Sequence, residues 1–292
     1  MRRWIALGAT VLAACGASLG GAPSDSVASD AKPPDVVRDA PVQDAFGPWS
    51  AAQPVPGADL STTSEDDPTL NSTLTELYFK KPVTGESNDL FVLTRATAQD
   101  PWGPAVAVAA VNTTMAEESP RLSYDDKTLY FGRNGDIYMT TRSAVGSPWG
   151  TPVAVTSVND PLLYEKWLSV CDNNVFMVSR ETAAGDQDLF QGTLGSGLGT
   201  PVAELNSASN EVSTFLSKDC LTVYFASSRG VSTDIYTSTR ATVNDPFDPP
   251  SLVPPFDTDT FDEEDGWISQ DLRTFVYAST ALGTKDVYIS TR

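Results

Sequence analysis

A short motif that recurs along the chain limits the possible folds more than any other feature of the sequence. Each copy begins with Asp and two hydrophobic or aromatic residues, and four copies end in Thr-Arg. The copies span Asp89–Arg95, Asp136–Arg142, Asp188–Leu194, Asp234–Arg240 and Asp286–Arg292. Their aspartates are 47, 52, 46 and 52 residues apart. Repetition at one phase indicates a structural unit, so we expect these aspartates to accept backbone hydrogen bonds in a turn.

Each repeat holds four short segments rich in aromatic and β-branched residues, which are typical of strands. An apolar triplet such as Leu129-Tyr130-Phe131 precedes each aspartate, and most copies have a Leu-Ser or Ile-Ser strand before it. A Pro-Val segment follows, as in Pro148–Val155. Four strands every 46–52 residues predict the blades of a β-propeller. The predicted fold is all-β: a five-bladed β-propeller with four antiparallel strands per blade.

The fifth repeat stops at Arg292, after its third strand, and an unmatched fourth strand lies at Pro48–Val55. Pairing this segment with the last blade would complete five blades and protect two open edges. The sequence therefore predicts a propeller over residues 48–292, closed by its N-terminal strand.

The first residues predict export. Arg2 and Arg3 precede an apolar run that is too short to span a bilayer, and the run ends at Ala14 before Cys15. Residues 12–15, LAAC, resemble the lipobox of bacterial lipoproteins, which implies a signal peptide over residues 1–14 and lipidation of Cys15. An ordinary signal peptide that contains a cysteine is the alternative. Residues 15–47 are rich in Ala, Ser, Asp and Pro, so we expect a disordered tether.

The segment SPRLSYDDKTLYFGRNGDIYMTTR (Ser119–Arg142) is similar to the WD40-like (PD40) repeats of the TolB β-propeller type. This resemblance implies an envelope propeller that binds other envelope proteins. Gly16 after the lipid-bearing cysteine favours the outer membrane, with the periplasmic and external faces both open.

Charge and composition narrow the possible functions. The net charge of −19 repels nucleic-acid phosphates, so we expect no nucleic-acid partner and membrane attachment through lipid alone. The chain has no histidine, which excludes Ser-His-Asp and Cys-His catalysis and ordinary zinc sites. We expect a monomer that is not an enzyme and has no cofactor or metal.

Acidic residues recur just before the first strand of each repeat, which lines the central channel of a propeller. Such carboxylates could bind a cation, perform acid–base chemistry or form a solvated acidic rim. The predicted cluster at the channel mouth consists of Asp66, Glu118, Glu165, Glu211 and Glu264.

Cys171 and Cys220 lie in the turns between the first and second strands of adjacent blades. A disulfide between them is compatible with export, and two free buried thiols are the alternative.

Two functions remain open from the sequence. The first is an envelope-anchored protein-binding or scaffold module. The alternative is a carbohydrate-binding or glycosidase-like propeller that uses central carboxylates and aromatic side chains.

Overall fold

The computed structural model describes residues 46–59, 62–83 and 87–292. Five four-stranded antiparallel sheets follow one another in a ring, which confirms the predicted five-bladed β-propeller. In chain order the strands are β1 (Gln53–Pro54), β2 (Asp66–Leu70), β3 (Glu76–Pro82), β4 (Asn88–Thr94), β5 (Val106–Ala107), β6 (Glu117–Leu122), β7 (Thr128–Arg133), β8 (Asp136–Thr141), β9 (Val153–Ala154), β10 (Glu165–Val170), β11 (Val175–Glu181), β12 (Gln187–Thr193), β13 (Thr200–Pro201), β14 (Glu211–Leu216), β15 (Thr222–Ser227), β16 (Asp234–Thr239), β17 (Ser251–Leu252), β18 (Glu263–Ile268), β19 (Thr274–Ser279) and β20 (Asp286–Thr291).

Blades 1 to 4 each use four consecutive strands, starting at β2, β6, β10 and β14. We call the face where the first strands begin the upper face, and the face with the turns between first and second strands the lower face. A three-residue 3₁₀ turn, Asp172–Asn174, lies between β10 and β11. No helix among the described residues is long and apolar enough to span a membrane.

Blade 5 joins the two ends of the propeller, as the unmatched strand predicted. Its strand order is β1-β20-β19-β18, with Gln53 opposite Ile289 and Pro54 opposite Tyr288. The backbone N–H of Ser50 donates to Thr291 O at 2.7 Å, which extends the pairing beyond the strand. The predicted signal peptide, the predicted lipidation of Cys15 and the predicted tether as far as residue 45 fall outside the described residues and stay predictions.

The apolar triplets form the core because each occupies the second strand of a blade. Their first and third residues are buried in every blade: Leu77 and Phe79, Leu129 and Phe131, Val175 and Met177, Val223 and Phe225, and Phe275 and Tyr277. Burial of a large apolar side chain contributes roughly 1.5–3 kcal/mol, so these ten side chains hold the sheets face to face.

The arginine of the Thr-Arg ending packs against an aromatic ring and a turn on the lower face. The Arg142 guanidinium lies 4.3 Å from the Trp149 ring centroid, and its Nε donates to the Asp126 carbonyl in the neighbouring turn at 2.8 Å. Arg292 and Trp49 repeat the stacking at 4.2 Å although they come from opposite ends of the propeller. The segment before the closing strand therefore supplies the same aromatic partner that blade 2 takes from the segment before its own fourth strand.

A bulge in every first strand shapes the channel. One residue near the start of each has a positive φ near 60°, and the register with the second strand shifts there. Two residues then oppose one, which changes the direction in which side chains leave the strand. The five bulge residues are Asp67, Ser119, Trp167, Ser213 and Asp265.

Candidate functional site

The structure divides the predicted acidic cluster into two sets. Glu165 and Glu211 are the first residues of their strands and are fully buried within their blades. Arg180 Nε donates to Glu165 at 2.6 Å, and Arg229 Nη2 donates to Glu211 at 3.0 Å. These two glutamates tie the second strand to the loop that enters the blade, because both arginines also donate to carbonyls of that loop.

The other three members, Asp66, Glu118 and Glu264, each directly precede the bulge residue of their strand, and lysines neutralise them at the upper end of the channel. Lys285 Nζ lies 2.8 Å from Glu264 Oε2 and 3.2 Å from Asp66 Oδ2. Lys166 Nζ lies 2.9 Å from Glu118 Oε1. The predicted acidic mouth is therefore a set of ion pairs, with the Glu118 and Glu264 side chains 14% and 15% exposed.

Below the mouth, Asp66, Asp67 and Asp265 bring carboxylate oxygens within 4.8 Å of one another. Carboxylates are the ligands that calcium and magnesium prefer. However, Lys80 Nζ lies 3.3 Å from Asp66 and 3.5 Å from Asp67, so a lysine supplies the countercharge. Asp67 also accepts the Ser119 N–H at 2.9 Å and the Trp167 indole N–H at 2.7 Å.

Arg121 closes the channel beneath these carboxylates and is almost completely buried. Its Nε donates to Thr214 O and its Nη1 to Pro68 O, each at 3.2 Å, and its Nη2 lies 3.8 Å from Asp265 Oδ1. One side chain thus contacts blades 1, 4 and 5 from blade 2. We interpret the charged centre as the hub that fixes the blades around the axis.

Burial, together with the charges of Asp67 and Asp66, raises the pKa of Asp265 well above its ordinary value. Burial also acts to raise the pKa of Asp66, but Lys80 and Lys285 outweigh it and hold that pKa below its ordinary range. Asp66 is therefore ionised, and it can accept a hydrogen bond from the protonated carboxyl group of Asp265.

This proton predicts a pH dependence. Above the ordinary aspartate pKa, folded Asp265 keeps a proton that the unfolded chain has lost, so the free energy of unfolding falls as pH rises toward the raised pKa. Asp265→Asn should remove this fall. Urea unfolding from pH 4 to pH 8 would measure it, with the exposed Asp259→Asn as control. Parallel profiles for wild type and Asp265→Asn would contradict the assignment.

The repeated aspartates begin the third strand of each blade, as the sequence predicted for position. Two of them accept a hydrogen bond from a hydroxyl group two residues earlier in the chain. Ser232 Oγ donates to Asp234 at 3.2 Å and Thr284 Oγ1 donates to Asp286 at 3.5 Å. Burial raises the pKa of Asp188, Asp234 and Asp286.

Cys171 and Cys220 form a disulfide that links the lower-face turns of blades 3 and 4. The neighbouring Asp172 and Asp219 line a cavity of about 510 Å³ at the lower end of the channel. The sequence did not predict this cavity, because it is formed by turn residues that differ from blade to blade.

The upper face carries a second feature that the sequence missed. Within the part of the chain that the structure describes, six of the eleven exposed large hydrophobic side chains lie on its loops, distributed over blades 2 to 5. Leu162 and Val231 are each 88% exposed. The six are Met115, Leu162, Tyr164, Val231, Phe261 and Leu282, and we call them the upper apolar ring.

Several solved structures are similar to this chain. The catalytic domain of the GH62 α-L-arabinofuranosidase of Coprinopsis cinerea is 14% identical, with a TM-score of 0.56 over 84% of this chain and 97% of that one. The endo-arabinase of Bacteroides thetaiotaomicron is 13% identical, with a TM-score of 0.56 over 84% and 98%. A putative TolB of Agrobacterium tumefaciens is 14% identical, with a TM-score of 0.49 over 79% and 76%. No protein-family model and no curated protein matches the chain.

The likenesses to the arabinofuranosidase and the endo-arabinase, both with TM-scores above 0.5, support the propeller fold, and at such identities they show the fold alone. They also require a correction. The prediction that the chain is not an enzyme is wrong, because similar structures include glycoside hydrolases that share its fold. The absence of histidine excludes only chemistry that depends on histidine.

Proposed function

We propose that the upper face docks a basic protein partner in the cell envelope. The observation that supports this function is the upper apolar ring, because monomeric proteins rarely gather exposed hydrophobic side chains on one face without an interaction to use them. Separate loops supply the ring, so a partner would contact most of the propeller at once.

The charge of the same loops indicates the chemistry of the partner. Acidic residues accompany the apolar ones, and the loop before β18 alone has Asp257, Asp259 and Asp262. Complementary charge steers association and disfavours partners of the same sign. A basic surface with apolar contacts therefore fits this face best.

The experiment compares retention of envelope proteins by immobilised variants. Leu162→Ser with Val231→Ser should lose a protein that the wild type retains at low salt and releases at high salt. The matched control is Val106→Ser with Val153→Ser, which changes exposed valines on the outer strands β5 and β9. Equal retention by the two double variants would refute the upper face as the docking surface.

A second candidate, glycoside hydrolysis, is supported by the two carboxylates that share Lys285. Burial raises the pKa of Glu264, whereas the lysines lower that of Asp66. Carboxylates whose pKa values are driven apart can serve as the proton donor and its ionised partner. An arabinofuranosidase and an endo-arabinase adopt this fold, so arabinose-bearing polysaccharides are the substrates to test.

Glu264→Gln is expected to reduce release of sugar from arabinoxylan or arabinan by at least about a hundredfold, because the amide cannot donate the acid proton. Leu162→Ser with Val231→Ser should leave hydrolysis unchanged, which separates the two functions. Absence of sugar release by the wild-type protein would eliminate the hydrolase.

A further inference from the structure

The lower-face turns of blades 2, 4 and 5 share a Ser-x-Asp sequence. In each turn the serine hydroxyl donates to the aspartate two residues later, at 2.6, 2.6 and 2.5 Å. This local bond closes the turn, so the Ser and Asp have a structural role. The middle residue is not needed for closure, and it differs in the three blades: Tyr124, Lys218 and Gln270.

These three variable residues meet around the cavity of about 510 Å³ at the lower end of the channel. Its floor is aromatic: the Phe215 ring centroid lies 6.3 Å from that of Tyr124 and 6.5 Å from that of Tyr224. The Tyr124 hydroxyl donates to Leu216 O at 2.5 Å, which fixes the ring. A preformed apolar floor with a few polar groups is typical of ligand sites of this size.

Open space beside this cavity leads toward blade 5, where the two ends of the propeller are joined. A second cavity of about 680 Å³ also contacts Tyr224 and Ile268, and it extends to Trp49 between blades 4 and 5. The Trp49 ring packs in T-shaped contacts with Phe256 and Phe275, with ring centroids 5.4 and 5.9 Å apart. We call the two neighbouring cavities, which share Tyr224 and Ile268 in their lining, the lower-face groove, and two cavities side by side suit a chain molecule better than a single compact ligand.

The side chains of the groove select the class of ligand. Aromatic rings contact the C–H faces of sugar rings, while carboxylates and amides bond neighbouring hydroxyl groups. The exposed Asp172 and Asp219 supply carboxylates along the rim, and the exposed Lys218 supplies an ammonium donor. A purely apolar ligand would desolvate these charges, and the net charge of −19 disfavours an anionic one.

We propose that the lower-face groove binds a short neutral oligosaccharide. This site is on the opposite face from the upper apolar ring and the Glu264 mouth, so it does not depend on either proposed function. Binding here places a sugar chain across the lower end of the channel, with Tyr124 and Tyr224 beneath it and the Ser-x-Asp turns beside it.

Calorimetric titration of the full chain with xylotriose, cellotriose and maltotriose tests the proposal. Lys218→Ala with Gln270→Ala should weaken binding of the preferred trisaccharide by about tenfold, because both exposed side chains lose their hydrogen bonds to it. The matched control is Lys127→Ala with Gln99→Ala, an exposed pair in lower-face connections outside the groove. The control should bind as the wild type does.

An aromatic pair gives an independent measurement. Trp49 and Trp102 occupy the same position in the repeat, each beneath an arginine at 4.2 and 4.0 Å. Trp49→Ala should reduce the affinity for sugar, whereas Trp102→Ala should not, since Trp102 does not line the groove. If Trp49→Ala impairs folding, sugar binding by the Lys218→Ala with Gln270→Ala variant still tests the proposal. The proposal is overturned if none of the trisaccharides binds, or if the groove and control variants bind equally well.

Discussion

Replacing both cysteines, Cys171→Ala with Cys220→Ala, is expected to lower the free energy of unfolding by about 4 kcal/mol. The bridge joins residues 49 positions apart, and it restricts the unfolded chain over that whole loop. Its removal also releases the lower-face turns of blades 3 and 4 from each other. Urea denaturation of the wild-type and double-alanine proteins would measure the loss.

The wild-type protein unfolded in the presence of a reductant is the natural control, since it should approach the stability of the double-alanine variant. Mass measurement under non-reducing conditions should show the oxidised mass before reduction. A loss below about 1 kcal/mol would mean that the bridge contributes little restriction to the unfolded chain.

Arg121→Met should cost about 2–6 kcal/mol of unfolding free energy, because two buried carbonyls each lose a hydrogen-bond donor, at roughly 1–3 kcal/mol apiece. The substitution leaves the carbonyls of Pro68 and Thr214 without their donor and removes the positive charge opposite Asp265. Four blades lose their shared contact, so we also expect the cooperativity of unfolding to decrease.

Arg121→Lys is the informative companion variant. Lysine keeps the charge but lacks the planar fork that reaches several acceptors at once, so its stability should lie between those of wild type and Arg121→Met. Thermal and urea unfolding of the three proteins would establish the order. Stability of Arg121→Met equal to that of the wild type would contradict the hub interpretation.

The sequence predicted the fold well because the repeats mark positions with strong physical requirements. The apolar triplets must be buried, as Phe79 and Phe131 are, and the third strands must start at a defined turn. The unmatched Pro48–Val55 segment identified the closing strand for the same reason. These features recur at the same position of every repeat, so they can be recognised from the sequence without a structure.

The site was less predictable because its residues break the repeat. Positive φ occurs at Asp67, at Trp167 and at Ser213, which share no property that a pattern could detect. The predicted acidic cluster also combined Glu165 with Glu118, because it was chosen by charge and not by position in the strand. Aligning Glu165 with Glu117 instead, as the first residues of β10 and β6, would have separated the structural glutamates from those at the mouth.

The surfaces to which we assign functions are related even less to the repeated positions. The upper apolar ring lies in loops of unequal length, and the lower-face groove uses the variable position of a conserved turn type. Neither produces a period along the chain. The resemblance to TolB-type repeats described the architecture, while the surfaces that distinguish this propeller come from residues outside the repeated pattern.

The seam in blade 5 has a consequence for biogenesis. Ser290 Oγ donates to Ser50 O across 240 positions in the sequence, so the ring cannot close until nearly the whole chain is available. Contacts between such distant residues form slowly, since a long loop must be ordered first. Before closure, β20 presents an unpaired strand edge, and unpaired edges readily pair with another chain. The nascent protein is therefore most prone to aggregation at its last strand, just before the first strand reaches it.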